Sequence, residues 1–175
     1  MSGQITNSRN FRVLIAEDDL EDQMLTGDAF ENEGKITIQV EFVLDGVELM
    51  QRLDEMALTP VEEEGGLPDL VIVDLKMPRM GGFEALQAIK LDKRIRMLPV
   101  IVMSVSNAPE NIEEAFDQGA SGFICKPVTY EELKEKLFDL AHYWTNVTML
   151  PIRGMAAGAE HVVESRAILR KLARE

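Results

Sequence analysis

Cysteine is nearly absent from this sequence: Cys125 is the only one in 175 residues, so a single chain can build neither an internal disulfide nor a multi-cysteine metal site. Lying between Ile124 and Lys126 in a predicted strand, it reads as a buried structural thiol. Long apolar runs are missing too. None approaches the ~18 residues of a transmembrane helix, and the start Met1-Ser2-Gly3-Gln4 lacks the apolar core of a secretory signal. A cytoplasmic protein away from the membrane is expected. Basic charge is scarce, with a formal net charge of −13. Residues 1–150 hold 13 basic and 28 acidic side chains, a balance of −15, whereas residues 151–175 hold five and three, a balance of +2. An acidic body repels phosphate backbones and anionic lipid, which argues against direct binding to nucleic acid or membrane. No internal repeat or low-complexity segment appears.

A hydrophobic content of 46% is enough for one ordinary core with an appendage. Phe11 to Ala16 reads as a buried strand, after a flexible N-terminus over residues 1–10. Leu20, Met24, Leu25 and Phe30 have helical spacing, Gly27 weakens that helix, and Gly34 marks its exit. Ile36, Ile38, Val40 and Phe42 alternate with polar residues, the pattern of a half-polar edge strand. Asp45-Gly46-Val47-Glu48 has capping-box spacing before a helix to about residue 57, and Glu62-Glu63-Glu64 sits in an acidic loop. Leu70 to Val73 is a run suited to a strand buried on both faces, followed by Asp74 and a loop forced by Pro78, Gly81 and Gly82. Phe83, Leu86 and Ile89 predict a third helix, and Leu98 to Met103 a fourth strand that ends at Ser104. Asn107-Ala108-Pro109-Glu110 is a capping-type start, with Ile112, Ala115 and Phe116 expected to face the core and Gly119 to close the helix. Ser121 to Cys125 is the fifth strand. Thr129 opens a fifth helix whose stripe is Leu133, Leu137, Leu140, Ala141 and Trp144. Alternating strands and helices predict an α/β fold with a parallel sheet and helices on both faces.

Each strand end carries a distinctive residue: Glu17 and Asp18 after the first, Asp74 after the third, Ser104 after the fourth, Lys126 after the fifth. Strands of a parallel sheet point one way, so these side chains gather at the edge where open α/β sheets place their ligands. Singly, each has a bland role as a cap, a loop hydroxyl or a solvated ammonium. Jointly they do not, because three crowded carboxylates repel one another and a hard divalent cation is the usual resolution. Mg²⁺ suits such a site, since it takes one or two carboxylates, keeps several waters and commonly works with phosphate groups. The set then reads as a phosphoryl site in which the cation and Lys126 neutralise oxygens, Ser104 donates a hydrogen bond and Asp74 is the nucleophile. Lys126 is expected to touch the phosphoryl group and not the metal.

With Leu14-Ile15-Ala16-Glu17-Asp18-Asp19, Asp74-Leu75-Lys76-Met77-Pro78, Ser104 and Lys126-Pro127 in this order, residues 11–145 resemble the receiver domain of bacterial two-component response regulators. The resemblance implies a flavodoxin-like sheet of order 2-1-3-4-5, with residues 146–175 as a C-terminal extension. It also implies phosphorylation of Asp74 by a histidine kinase, Mg²⁺ held by Glu17, Asp18, Asp74 and the Lys76 carbonyl, and a switch pair of Ser104 and Phe123. Phe123 stands where the family often has tyrosine, so a swinging ring here carries no hydroxyl. Lys76 and Ser106 occupy positions that flank the approach of hydrolytic water in such domains.

Two other classes of function compete. Haloacid dehalogenase-type phosphatases also use an aspartate nucleophile, but they carry a second acid two residues later, where this chain has Lys76, and their acidic pair follows the nucleophile instead of preceding it. A receiver-like interaction module that never takes phosphate would not need so complete a site. Residues 146–175 are too few for a DNA-binding or catalytic output domain, so a single-domain regulator, not an enzyme, is expected. His142 to Pro151 resembles the extension of regulators paired with bacterial phytochrome kinases. Phe138 and Tyr143 lie off the core stripe, and Val162, Leu169, Leu172 and Ala173 share a helical stripe in the basic tail. A homodimer built through the fourth and fifth units, with the tail contributing, is expected.

Overall fold

The computed structural model describes residues 11–31, 37–59 and 66–150. The polar lead-in, Gly34 and Ile36, the Glu62-Glu63-Glu64 run and the tail stripe lie outside the described residues. Strands β1 (Phe11–Ala16), β2 (Ile38–Val43), β3 (Leu70–Val73), β4 (Val100–Ser104) and β5 (Gly122–Cys125) alternate with helices α1 (Leu20–Glu31), α2 (Gly46–Leu58), α3 (Gly82–Leu91), α4 (Pro109–Asp117) and α5 (Tyr130–His142). A π-helical turn, Tyr143–Val147, follows α5. The strands form one parallel sheet of order β2-β1-β3-β4-β5, the flavodoxin-like order.

Successive side chains of a strand point to opposite faces, so each central strand feeds two cores. On one face Leu14, Val71, Val73, Val100 and Val102 pack with Leu49 and Leu53 of α2, Leu86 and Ile89 of α3, and Ala115 of α4. On the other, Val13, Ile15, Leu70, Ile72 and Ile101 pack with Ala29 and Phe30 of α1 and Leu133, Leu137 and Ala141 of α5. β2 is an edge strand with Ile38, Val40 and Phe42 against the second core and Glu41 paired with Arg52 of α2. Beyond α3, Arg94 is held by Asp92 and Asp54, closing the end of the sheet remote from Asp74.

Four local expectations change. In α1 the buried positions are Thr26, Ala29 and Phe30, while Leu20, Met24 and Leu25 are exposed. Thr26 and Ala29 let this helix lie close to the sheet, with Gly27 against the Phe42 ring and Phe30 as its large buried side chain, while Leu20, Met24 and Leu25 are left outside. In α4 Ala115 is buried and Phe116 is 52% exposed, so the inward face is narrower than the spacing suggests. Asn107 does not cap this helix; Pro109 enters it, and the Ser106 hydroxyl accepts from the Ala108 amide and the Asn111 side chain instead. Cys125 is half-buried because β5 is the other edge strand. Thr129 caps α5 as expected, accepting from the Glu132 amide, and Leu140 and Trp144 extend its stripe against the second core.

Candidate functional site at the C-terminal edge of the sheet

Parallel hydrogen bonding continues one residue past the strands and fixes the site. The Glu17 amide donates to Val43 O at 3.0 Å, the Asp74 amide to Ala16 O at 3.0 Å, and the Lys126 amide to Ser104 O at 2.8 Å. Extended backbone keeps period two, so Glu17 follows Val13 and Ile15, Asp74 follows Leu70 and Ile72, and Lys126 follows Ile124, all on the α1/α5 side. Ser104 follows Val102 on the opposite side. Phe123, paired with Val102 in register, packs half-buried there against the first core.

Carboxylate oxygens of Glu17, Asp18 and Asp74 lie within 4.8 Å of one another. Glu17 and Asp74 are buried, whereas Asp18 is exposed and leaves the cluster open to solvent. Lys126 Nζ donates to Glu17 Oε2 at 2.5 Å and to Asp22 Oδ2 at 2.7 Å, and stands 3.8 Å from Asp74 Oδ2. Asp74 Oδ1 accepts from the Leu75 amide at 2.8 Å. Burial raises the Asp74 pKa above the usual carboxylate value, and the nearby Asp18 charge adds to this against the opposing pull of Lys126. Burial likewise raises Glu17 in spite of its ion pair. For Lys126, burial alone would lower the pKa, but Asp22, Glu17 and Asp74 together raise it. At Glu17 and Asp74 burial outweighs the pull of the one ammonium, which also pairs with Asp22. Buried hard oxygens short of positive charge are what a divalent cation such as Mg²⁺ accepts, so the residues present fit that ion.

The loop after Asp74 is pinned from two sides. The Gly82 amide donates to Leu75 O at 3.1 Å, and a Cβ on Gly82 would come within 2.3 Å of Asp74 O. The Gly46 amide at the start of α2 donates to Met80 O at 3.0 Å. Between these anchors Arg79 adopts φ 60° and pairs with Asp45 and Glu48. Ser104 is buried, and its Oγ accepts from the Ser106 amide at 3.3 Å.

Among the expected site residues, Glu17, Asp18, Asp74 and Lys126 meet directly, Ser104 is tied to Lys126 through the backbone, and Lys76 is exposed on the loop beside Asp74. The Lys126 ammonium rests on Glu17, one of the acids expected to hold the ion. Asp22 was missed. Its only sequence signal is its place in the first turn of the helix that leaves Glu17-Asp18-Asp19, where an acid also reads as favourable to the helix dipole. In the sequence Asp45 carries only the signal of a cap, and no local pattern marks Arg79.

A five-stranded flavodoxin-like sheet with an acidic cluster and a lysine at its C-terminal edge defines the class. The chain belongs to the response regulator receiver domain family, which matches residues 13–138. A protein of Methanothrix harundinacea described as "Probable methanogenesis regulatory protein FilR2" is 32% identical over 146 residues, 82% of this chain and 90% of that protein. The phosphorylated cyanobacterial phytochrome response regulator RcpA superposes with a TM-score of 0.72 at 26% identity, covering 82% of this chain and 99% of that one. A response regulator in red light signaling of R. palustris gives 0.72 at 28% identity, covering 81% and 99%. Among the described residues no helix is long and apolar enough to cross a membrane.

Proposed function

We propose that this chain acts as a response regulator that accepts a phosphoryl group from a sensor histidine kinase onto Asp74 and signals by changing a protein-binding surface. The observation that carries the reading is the meeting of three strand-end carboxylates with Lys126 at one edge of the sheet. Glu17, Asp18, Asp74 and the Lys76 carbonyl are the residues to hold Mg²⁺. When bound, that ion supplies positive charge for the oxygens of the incoming group. An Asp74 carboxylate oxygen attacks phosphorus while the bond to the donor histidine nitrogen breaks. Lys126, 3.8 Å from Asp74, offsets charge on the transferred group, and Ser104 donates a hydrogen bond to it. Ser104 and Phe123 lie on the same side of the sheet, beside α4, which suits them to pass on the change as the switch pair.

The likeness to a cyanobacterial phytochrome response regulator and to a bacteriophytochrome response regulator supports a bacterial phytochrome as the kinase partner. Exposed Phe138, Tyr143, Val147 and Met149, at the end of α5 and just beyond, support a homodimer through this region. Incubation of the protein with acetyl phosphate and Mg²⁺ tests the central reading. Labelling is expected for the natural chain and lost in Asp74→Asn; normal labelling of that variant refutes the assignment.

A further inference from the structure

Resting on the reading of this edge as a Mg²⁺ and phosphoryl site, the geometry points to Asp22 as a positioning residue that gives the Lys126 ammonium a second seat, outside the metal position. The ammonium lies 2.5 Å from Glu17 and 2.7 Å from Asp22, but 3.8 Å from Asp74. Glu17 belongs to the carboxylate cluster; Asp22 does not. A cation taking Glu17 therefore displaces the ammonium from its tighter contact and repels it. An ammonium that is largely buried, with 11% of the side chain exposed, is costly to leave without a partner. Asp22 keeps it paired through the exchange and close to Asp74, where a phosphoryl group would arrive.

The seat is rigidly placed. Asp19 caps the start of α1, its Oδ1 accepting from the amides of Glu21 at 2.8 Å and Asp22 at 3.1 Å. Gln23 Nε2 donates to Glu17 O at 2.6 Å, tying the same turn to the end of β1. Asp22 is thus held in a fixed relation to Glu17, and Lys126 spans the two from β5. The Asp22 side chain is 39% exposed, so its substitution leaves both cores untouched.

The test is calorimetric titration of the full chain with MgCl₂ at constant ionic strength, without any phosphodonor. Asp22→Asn, close in shape and without charge, is expected to weaken Mg²⁺ binding roughly three- to tenfold, the effect of one partly screened charge pair. Asp22→Glu keeps the charge and is expected to restore affinity to within about twofold. In a Lys126→Ala background Asp22→Asn is expected to change affinity by less than about twofold, because the group that it seats is gone. Unchanged affinity in Asp22→Asn overturns the inference. An equal loss with Lys126 removed overturns it as well, since the effect is then bulk charge, and so does failure of Asp22→Glu to recover binding. Absence of Mg²⁺ binding to the natural chain instead refutes the underlying reading of the site, which keeps the two failures apart.

Discussion

Arg79, on the loop that follows Asp74, pairs with Asp45, a residue 34 positions earlier that caps α2. Asp45 is 1% exposed, and its Oδ1 accepts from the Val47 amide at 2.8 Å and the Glu48 amide at 3.0 Å. Glu48 completes a displaced capping box by accepting from Leu44, one residue earlier than expected. One carboxylate thus holds both the start of a helix and the loop that carries Lys76.

Asp45→Ala should therefore destabilise the fold by about 1–2 kcal/mol, the upper range for loss of a cap. Urea unfolding would show a lower midpoint at unchanged slope. Arg79→Gly should be less harmful than Arg79→Ala, because both lose the ion pair but only alanine retains a side chain at φ 60°. Equal midpoints for the two would show that this backbone conformation carries no strain.

Gly82→Ala is a test of how closely the loop is packed on Asp74. The new Cβ would meet Asp74 O at 2.3 Å and Leu75 Cα at 2.9 Å, and backbone cannot move aside as a flexible side chain does. A loss of about 1–3 kcal/mol is expected from this overpacking, together with weaker Mg²⁺ binding because Asp74 is displaced. Natural stability and natural affinity in this variant would disprove the close approach.

The raised pKa values of Asp74 and Glu17 make stability depend on pH in a defined direction. Their ionised forms are disfavoured by folding, so stability is lost as pH rises from the ordinary values of 3.8 and 4.5 through the raised folded-state values. In chelator at neutral pH, Asp74→Asn should be more stable than the natural chain by about 1 kcal/mol, the scale of a single relieved burial. That advantage should shrink as pH falls toward the ordinary carboxylate range, where the natural Asp74 protonates. Saturating Mg²⁺ should reverse the order, because it binds and stabilises the natural fold more strongly. Thermal unfolding of both proteins across pH, with and without the ion, checks all three signs.

The exposed apolar end of α5 leads to a test of assembly. Sedimentation of the full chain at high micromolar concentration should show a dimer, and Phe138→Asp should move it toward monomer. A version ending at Pro151 should dimerise less well. A strictly monomeric full chain rejects the dimer, and equal dimerisation of the two lengths rejects a contribution from the tail.

Most of the sheet was legible because its strands are short apolar runs bounded by turn residues, and five of them alternating with helices allow few arrangements. Period two goes further. It sends Glu17, Asp74 and Lys126 to one side and Ser104 with Phe123 to the other, since neighbouring parallel strands share a register. The outward face of α1 was not legible. Leu20, Met24 and Leu25 have helical spacing, yet the choice of buried stripe depends on how near the helix comes to β2 and α5, and Thr26, Ala29 and Phe30 make that contact.

The sequence by itself determined which chemical groups reach the C-terminal edge, because each stands directly after a strand whose direction is set by parallel pairing. Only the tertiary structure decided how those groups pair. Lys126 has a long flexible stem and several acids within reach, so its preference for Glu17 and Asp22 over Asp74 follows from where α1 begins and how Asp19 and Gln23 hold its first turn. Asp45 and Arg79 are likewise unremarkable as residues in a string. They become a clamp on the Asp74 loop because α2 and α3 start side by side, a contact between segments that no local pattern encodes.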